Sequence, residues 1–188
     1  MLHVERPFAV WSVVAFFNAD LGAAVERRFP LRRLGLEAGR IHLAFDFWNA
    51  RFVGEVTNEV SVRVEPGSVT LLALHAATGT PQLLSTSRHV AQGAIEIEDV
   101  QWDGAERKLS GISTGPPRSA HDVYVYVPGD HPWTWEQRVP VRDHAGYSLE
   151  LVDSNVIRVH VRFEDETRLP WKIDVDDFFA THATPTRV

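Results

Sequence analysis

The stretch Val156-Ile157-Arg158-Val159-His160-Val161-Arg162-Phe163 decides the fold. Ile157, Val159, Val161 and Phe163 alternate with Arg158, His160 and Arg162, the period of two that gives a half-buried strand one apolar and one polar face. The same period recurs upstream. Val60, Val62 and Val64 alternate with Ser61, Arg63 and Glu65, and Val123, Val125 and Val127 alternate with Tyr124 and Tyr126. Turn-forming clusters separate these runs: Pro66-Gly67, Thr78-Gly79-Thr80-Pro81, Asp103-Gly104, Gly115-Pro116-Pro117, Pro128-Gly129-Asp130 and Asp153-Ser154-Asn155. Short strands with this punctuation predict an all-β fold, an antiparallel β-sandwich.

Helical pattern is scarce. Asp20 to Arg28 is a short candidate and Asp174 to Thr181 a terminal one, too few for the strand–helix alternation of a parallel α/β sheet. No internal repeat has a solenoid or propeller period. The strand pattern breaks at Pro128-Gly129-Asp130-His131-Pro132. This suggests a sandwich over 1–128 and a C-terminal β-hairpin extension or small second sheet over 129–188. The extension contains a hairpin of Tyr147 to Val152 with Val156 to Phe163, and a last strand through Trp171 to Val175. So short a segment cannot hold a large core alone and is expected to pack on the sandwich.

The 188 residues are 44% hydrophobic and 23% charged, so the chain can bury a core, yet it falls short of the roughly 250 residues of a (β/α)8 barrel. No cysteine is present, which excludes thiol catalysis, thiolate zinc sites and iron–sulfur clusters. Nineteen basic against 25 acidic residues, a formal net charge of −6 with both signs dispersed, argue against a nucleic-acid partner. Pro7 to Phe17 is apolar but too short to span a bilayer as a helix. Glu5 offsets Arg6 and Asp20 sits near any cleavage point, so a buried strand is expected there, with a cytoplasmic setting and no membrane partner.

Three local patterns, in order, resemble one family. Phe16-Phe17-Asn18 follows an apolar strand. Leu34-Gly35-Leu36, Phe45-Asp46-Phe47-Trp48 and Gly54 come next, and Leu83-Leu84-Ser85-Thr86-Ser87-Arg88-His89 then leads into Gln92-Gly93. Over roughly residues 8 to 128 the succession resembles the C-terminal β-sandwich domain of α-galactosidase-like, melibiase-type glycoside hydrolases. In that family a catalytic (β/α)8 barrel precedes the sandwich and two barrel aspartates perform the chemistry. The resemblance therefore implies a noncatalytic accessory domain whose partner is such a barrel, with no catalytic residue and no cofactor of its own. A surface shaped for a barrel would be apolar over one face, and in the isolated chain could support self-association into a homo-oligomer.

The residues offer weaker chemical candidates of their own. Read as strand, Phe45 and Phe47 share one face and Asp46 and Trp48 the other, with the aromatics filling the sandwich and Asp46 accepting hydrogen bonds at a strand end. Asn18 reads as a turn former. Glycoside hydrolysis needs two carboxylates about 5 to 9.5 Å apart. Asp46, Glu55, Asp99, Asp103, Asp122 and Asp130 supply carboxylates, but nothing in the spacing pairs them. Ser87 and His89 would share a strand face, yet no Gly-x-Ser-x-Gly elbow accompanies them, so a structural hydrogen bond is expected rather than a nucleophile. Nine histidines include no metal-binding pair; His121-Asp122 and Asp174-Val175-Asp176-Asp177 are the nearest approaches to a metal or Ca²⁺ site. Trp133 and Trp135, at i and i+2, could present coplanar rings to a sugar, with Asp130 or Glu136 bonding its hydroxyls. That is the carbohydrate-binding alternative to packing against the sandwich.

Overall fold

A computed structural model describes residues 1–129 and 141–180. These residues form antiparallel sheets, a 3-10 turn and one short helix. They divide into two compact units. Unit 1 comprises Met1–Ala77 and Leu84–Ala94, and unit 2 comprises Thr78–Leu83 and the described residues from Ile95 onward. The expected boundary at 128 therefore falls inside unit 2.

Unit 1 opens with β1 (Leu2–Arg6), β2 (Ala9–Phe17) and β3 (Val25–Pro30). After a 3-10 turn at Leu31–Leu34 follow β4 (His42–Asp46), β5 (Arg51–Val56), β6 (Glu59–Val64) and β7 (Val69–Ala76). One sheet has the order β1-β2-β7-β4-β5, and β3 and β6 form a two-stranded partner. Val60, Val62 and Val64 of β6 face Val14, Phe16, Ala44, Leu72 and Leu74 of the larger sheet, with Leu31 between them, as the period-two reading requires. Pro7–Phe17 is thus largely strand. Asp20 to Arg28 is not helical but a loop leading into β3, too brief to repay helix nucleation.

Between β4 and β5 the register slips. Ala44 opposes Gly54 but Phe45 opposes Phe52, so Val53 is the extra residue of a bulge. Gly54 has φ of 130°, which a side chain would strain. On the face away from the two-stranded sheet, the buried Trp11 and His75 rings stack with centroids 5.3 Å apart. Trp11 Nε1 donates to the Ala91 carbonyl, tying the Leu84–Ala94 segment to β2.

The chain changes unit within β8 (Gln82–Thr86). Unit 2 continues with β9 (Ile97–Asp103), β10 (Lys108–Thr114), β11 (Ser119–Tyr126), β12 (Arg142–His144), β13 (Tyr147–Asp153), β14 (Val156–Phe163), β15 (Arg168–Asp174) and α1 (Val175–Ala180). The expected hairpin is β13–β14, the last strand is β15, and the terminal helix is α1. The order β15-β10-β9 makes one sheet, and β12, β13, β14 and β11 lie in sequence in another. In β11 the tyrosines do not face water: Tyr124 and Tyr126 are buried, as are Val123, Val125 and Val127 beside them. Tyr124 lies beside Asp122 and Arg158, and burial pushes its phenol up to about 12.

Trp171 of β15 lies directly opposite Gly111 of β10. A Cβ on Gly111 would fall 2.1 Å from Trp171 Cζ2, so glycine is required by the ring above it. Trp171 Nε1 donates to Ser113 Oγ at 3.0 Å, and His121 Nε2 is hydrogen-bonded to the same oxygen at 3.0 Å. Gly111→Ala is expected to lower unfolding stability by about 1–3 kcal/mol through overpacking. Gly104→Ala, whose Cβ would meet nothing closer than 3.5 Å, is expected to be near neutral. Denaturant unfolding checks the pair; equal midpoints would contradict this packing.

Candidate functional site

One end of the unit 1 sandwich gathers most of its unusual side chains. The antiparallel pairings bring the last residues of β2 and β4 and the first residues of β5 and β7 to the same end. Here β4 stops at Asp46. Its Oδ1 accepts from Asn49 N at 3.3 Å and its Oδ2 from Asn49 Nδ2 at 2.8 Å, folding Phe47–Ala50 into a turn. Phe47 to Trp48 therefore does not continue the strand alternation, and Trp48 is not a filler of the sandwich. It is 58% exposed, with the Phe47 ring inclined at 74° against it.

The facing wall is the turn between β6 and β7. It is fastened by Asn18, which is buried at the end of β2. Asn18 Nδ2 donates to Ala23 O at 2.8 Å and to Val64 O and Glu65 O, both at 3.2 Å, while Oδ1 accepts from Asp20 N at 3.1 Å. The expected turn former thus binds two turns at once. Between the Asp46–Arg51 and Glu65–Thr70 segments lies an open cleft of about 670 Å³. Arg63 Nε pairs with Glu65 Oε1 at 2.8 Å, whereas the Arg51 guanidinium makes no hydrogen bond or ion pair among the described residues.

The other sequence candidates do not converge. Ser87 and His89 lie beyond the end of β8, both exposed, so they share no strand face. The hydroxyl that matters is the buried Ser85 Oγ, which donates to Gln92 Oε1 at 2.8 Å. Asp103 Oδ1 caps its own turn through Ala105 N and Glu106 N, Asp99 accepts from Gln101, and Asp122 pairs with His160 at 2.7 Å. Asp176 and Asp177 are paired with Arg107 and Arg142, and Asp174 Oδ1 accepts from Asp177 N. Among the described residues no group of three or more His, Asp or Glu side chains is arranged to hold a metal. No helix among them is long and apolar enough to cross a membrane. Trp133, Trp135, Asp130 and Glu136 lie outside the described residues.

Sequence reasoning missed the exposure of Trp48 and the placement of Arg51 and Arg63 around it. The available signal was Asp46 three residues before Asn49, an Asx turn that ends a strand. The chain matches no family model, no curated protein and no solved structure.

His75 has a strongly shifted imidazole. Full burial drives its imidazole from 6.5 down to about 4, only partly opposed by a hydrogen bond to the Leu84 backbone. The unfolded chain therefore binds more protons between these two values. The stabilisation is complete above about pH 6.5 and is lost as the pH falls toward about 4, up to about 3 kcal/mol. His75→Phe keeps the ring against Trp11 and removes the proton. Its stability is expected to fall less steeply than that of the parent over this range, measured by denaturant unfolding; parallel pH profiles would contradict a buried neutral His75.

Proposed function

We propose that the chain is a noncatalytic accessory β-sandwich of an α-galactosidase-like glycoside hydrolase, covering and stabilising the edge of a catalytic barrel. The observation that carries this reading is how the residues bearing the resemblance are used. Asn18 ties turns, Gly35 ends the 3-10 turn in the left-handed conformation, and Asp46 folds the β4–β5 turn. Gly54 follows the bulged Val53 with φ of 130°, Ser85 holds Gln92, and Gly93 takes φ of 111°. Each serves the fold of its own segment. A motif set spent on strand ends and tight turns suits a scaffold better than a reaction centre, where a nucleophile and base must meet a substrate atom.

The two sheets of unit 1 also differ in width. With strands about 4.8 Å apart, two strands cannot cover five. Beside this mismatch lies a groove of about 230 Å³ lined by Phe16, Phe17, Val25 and Phe29 together with Arg27, and Phe17 is 80% exposed. We place the barrel contact on this strip.

The test adds the chain in trans to the catalytic barrel of an α-galactosidase-type enzyme lacking its own C-terminal sandwich. The barrel's thermal midpoint is expected to rise by several degrees with the parent chain and not with Phe17→Glu. Turnover of an aryl α-galactoside by the chain alone, abolished by Asp46→Asn in a folded variant, would contradict the reading.

A further inference from the structure

We propose that the cleft between the β4–β5 and β6–β7 turns is a saccharide-binding site, with Trp48 as the platform for one pyranose ring. The cleft and its side chains carry the proposal; it requires neither a barrel partner nor Trp133 and Trp135.

A pyranose offers an apolar face of C–H groups and a rim of hydroxyls that both donate and accept. Its complement is one accessible aromatic face ringed by planar polar groups, and the cleft has this composition. The Trp48 ring is more than half exposed, and a single inclined neighbour, Phe47, cannot cover both of its faces. Its indole N–H has no acceptor among the described residues, so a donor is available beside the platform. Around it stand the Asn49 amide, the guanidinium groups of Arg51 and Arg63, and the Glu65 carboxylate. Arg51 keeps its full set of donors for a ligand, and the carboxylate and guanidinium of the Glu65–Arg63 pair can each engage neighbouring hydroxyls in a two-pronged manner.

Shape and rigidity agree with the chemistry. A volume of about 670 Å³ lies within the roughly 300–1,000 Å³ of small-molecule sites and exceeds the needs of one ring, leaving the cleft open for a chain to continue. Two cations and two carboxylates line it, and the acids are already engaged by Asn49 and Arg63, so no strong field selects an ion. Trp48 sits on a turn locked by Asp46, and the opposite wall is locked by Asn18; the platform and the polar rim are thus held in place before a ligand arrives.

The experiment is a titration of the ¹⁵N-labelled chain with melibiose, cellobiose and xylobiose, followed through the Trp48 indole and the amides of Asn49, Arg51 and Ser68. At least one disaccharide is expected to shift these signals together, with weak, millimolar affinity. Trp48→Ala and Arg51→Ala, each checked for retained strand signature, are expected to weaken binding at least about tenfold, and Trp48→Phe less. A Trp133→Ala/Trp135→Ala variant is expected to bind as the parent does. The proposal is overturned if none of the three sugars moves the cleft signals. It is equally overturned if binding survives Trp48→Ala and Arg51→Ala, or if it is lost with Trp133 and Trp135 instead. A barrel left unstabilised in trans would not affect this outcome.

Discussion

The buried amide of Asn18 is the interaction on which the cleft end of unit 1 depends. A side-chain amide has two N–H donors, and here they serve three carbonyls, on Ala23, Val64 and Glu65, so at least one hydrogen is shared. These carbonyls belong to two segments far apart in sequence: Ala23 lies in the loop before β3, while Val64 ends β6 and Glu65 begins the turn after it. Of the three bonds the one to Val64 O is buried, and its loss would cost about 1–3 kcal/mol. With the amide, the 18–24 loop and the β6–β7 turn become one rigid edge. Gly67 N donates to Asp20 O at 2.8 Å and Leu21 lies close over Gly67, so the loop and turn interlock further.

A second buried polar residue makes the opposite wall. Asp46 ends β4 and sets Trp48 out into solvent, where an ordinary strand continuation would have placed it over the sheet. The two ties thus account for the cleft and for the exposure of its aromatic platform. The same economy extends to Ser85, whose bond to Gln92 closes the loop after β8. It also extends to Trp11, which holds that loop to β2. The proposed accessory role and the proposed saccharide site draw on different parts of this unit, the groove beside Phe17 and the polar end beside Trp48.

Period-two runs made most strands legible from the sequence. Val60–Val64, Val123–Val127 and Val156–Phe163 all lie in or beside strands, and the turn clusters between them fall at strand ends. Three features were not legible. The strand boundary at Asp46 depends on a side-chain bond to Asn49, which overrides the apolar pattern of Phe45-Asp46-Phe47-Trp48. The burial of Tyr124 and Tyr126 depends on their surroundings in the folded unit rather than on their own periodicity. The division of the chain into two units crosses β8, where composition does not change, while the Pro-Gly cluster at 128 that suggested a boundary only separates β11 from later strands of its own sheet.

The central claim is that Asn18 is an internal tie whose side-chain amide holds two turns of unit 1 together. The hydrogen exchange of the Asn18 side-chain amide, followed by NMR, tests it most directly. The account predicts that both Nδ2 protons exchange as slowly as the backbone amides of β2 and β7, with two distinct and widely separated resonances. Exchange at the rate of a solvent-exposed asparagine would contradict it.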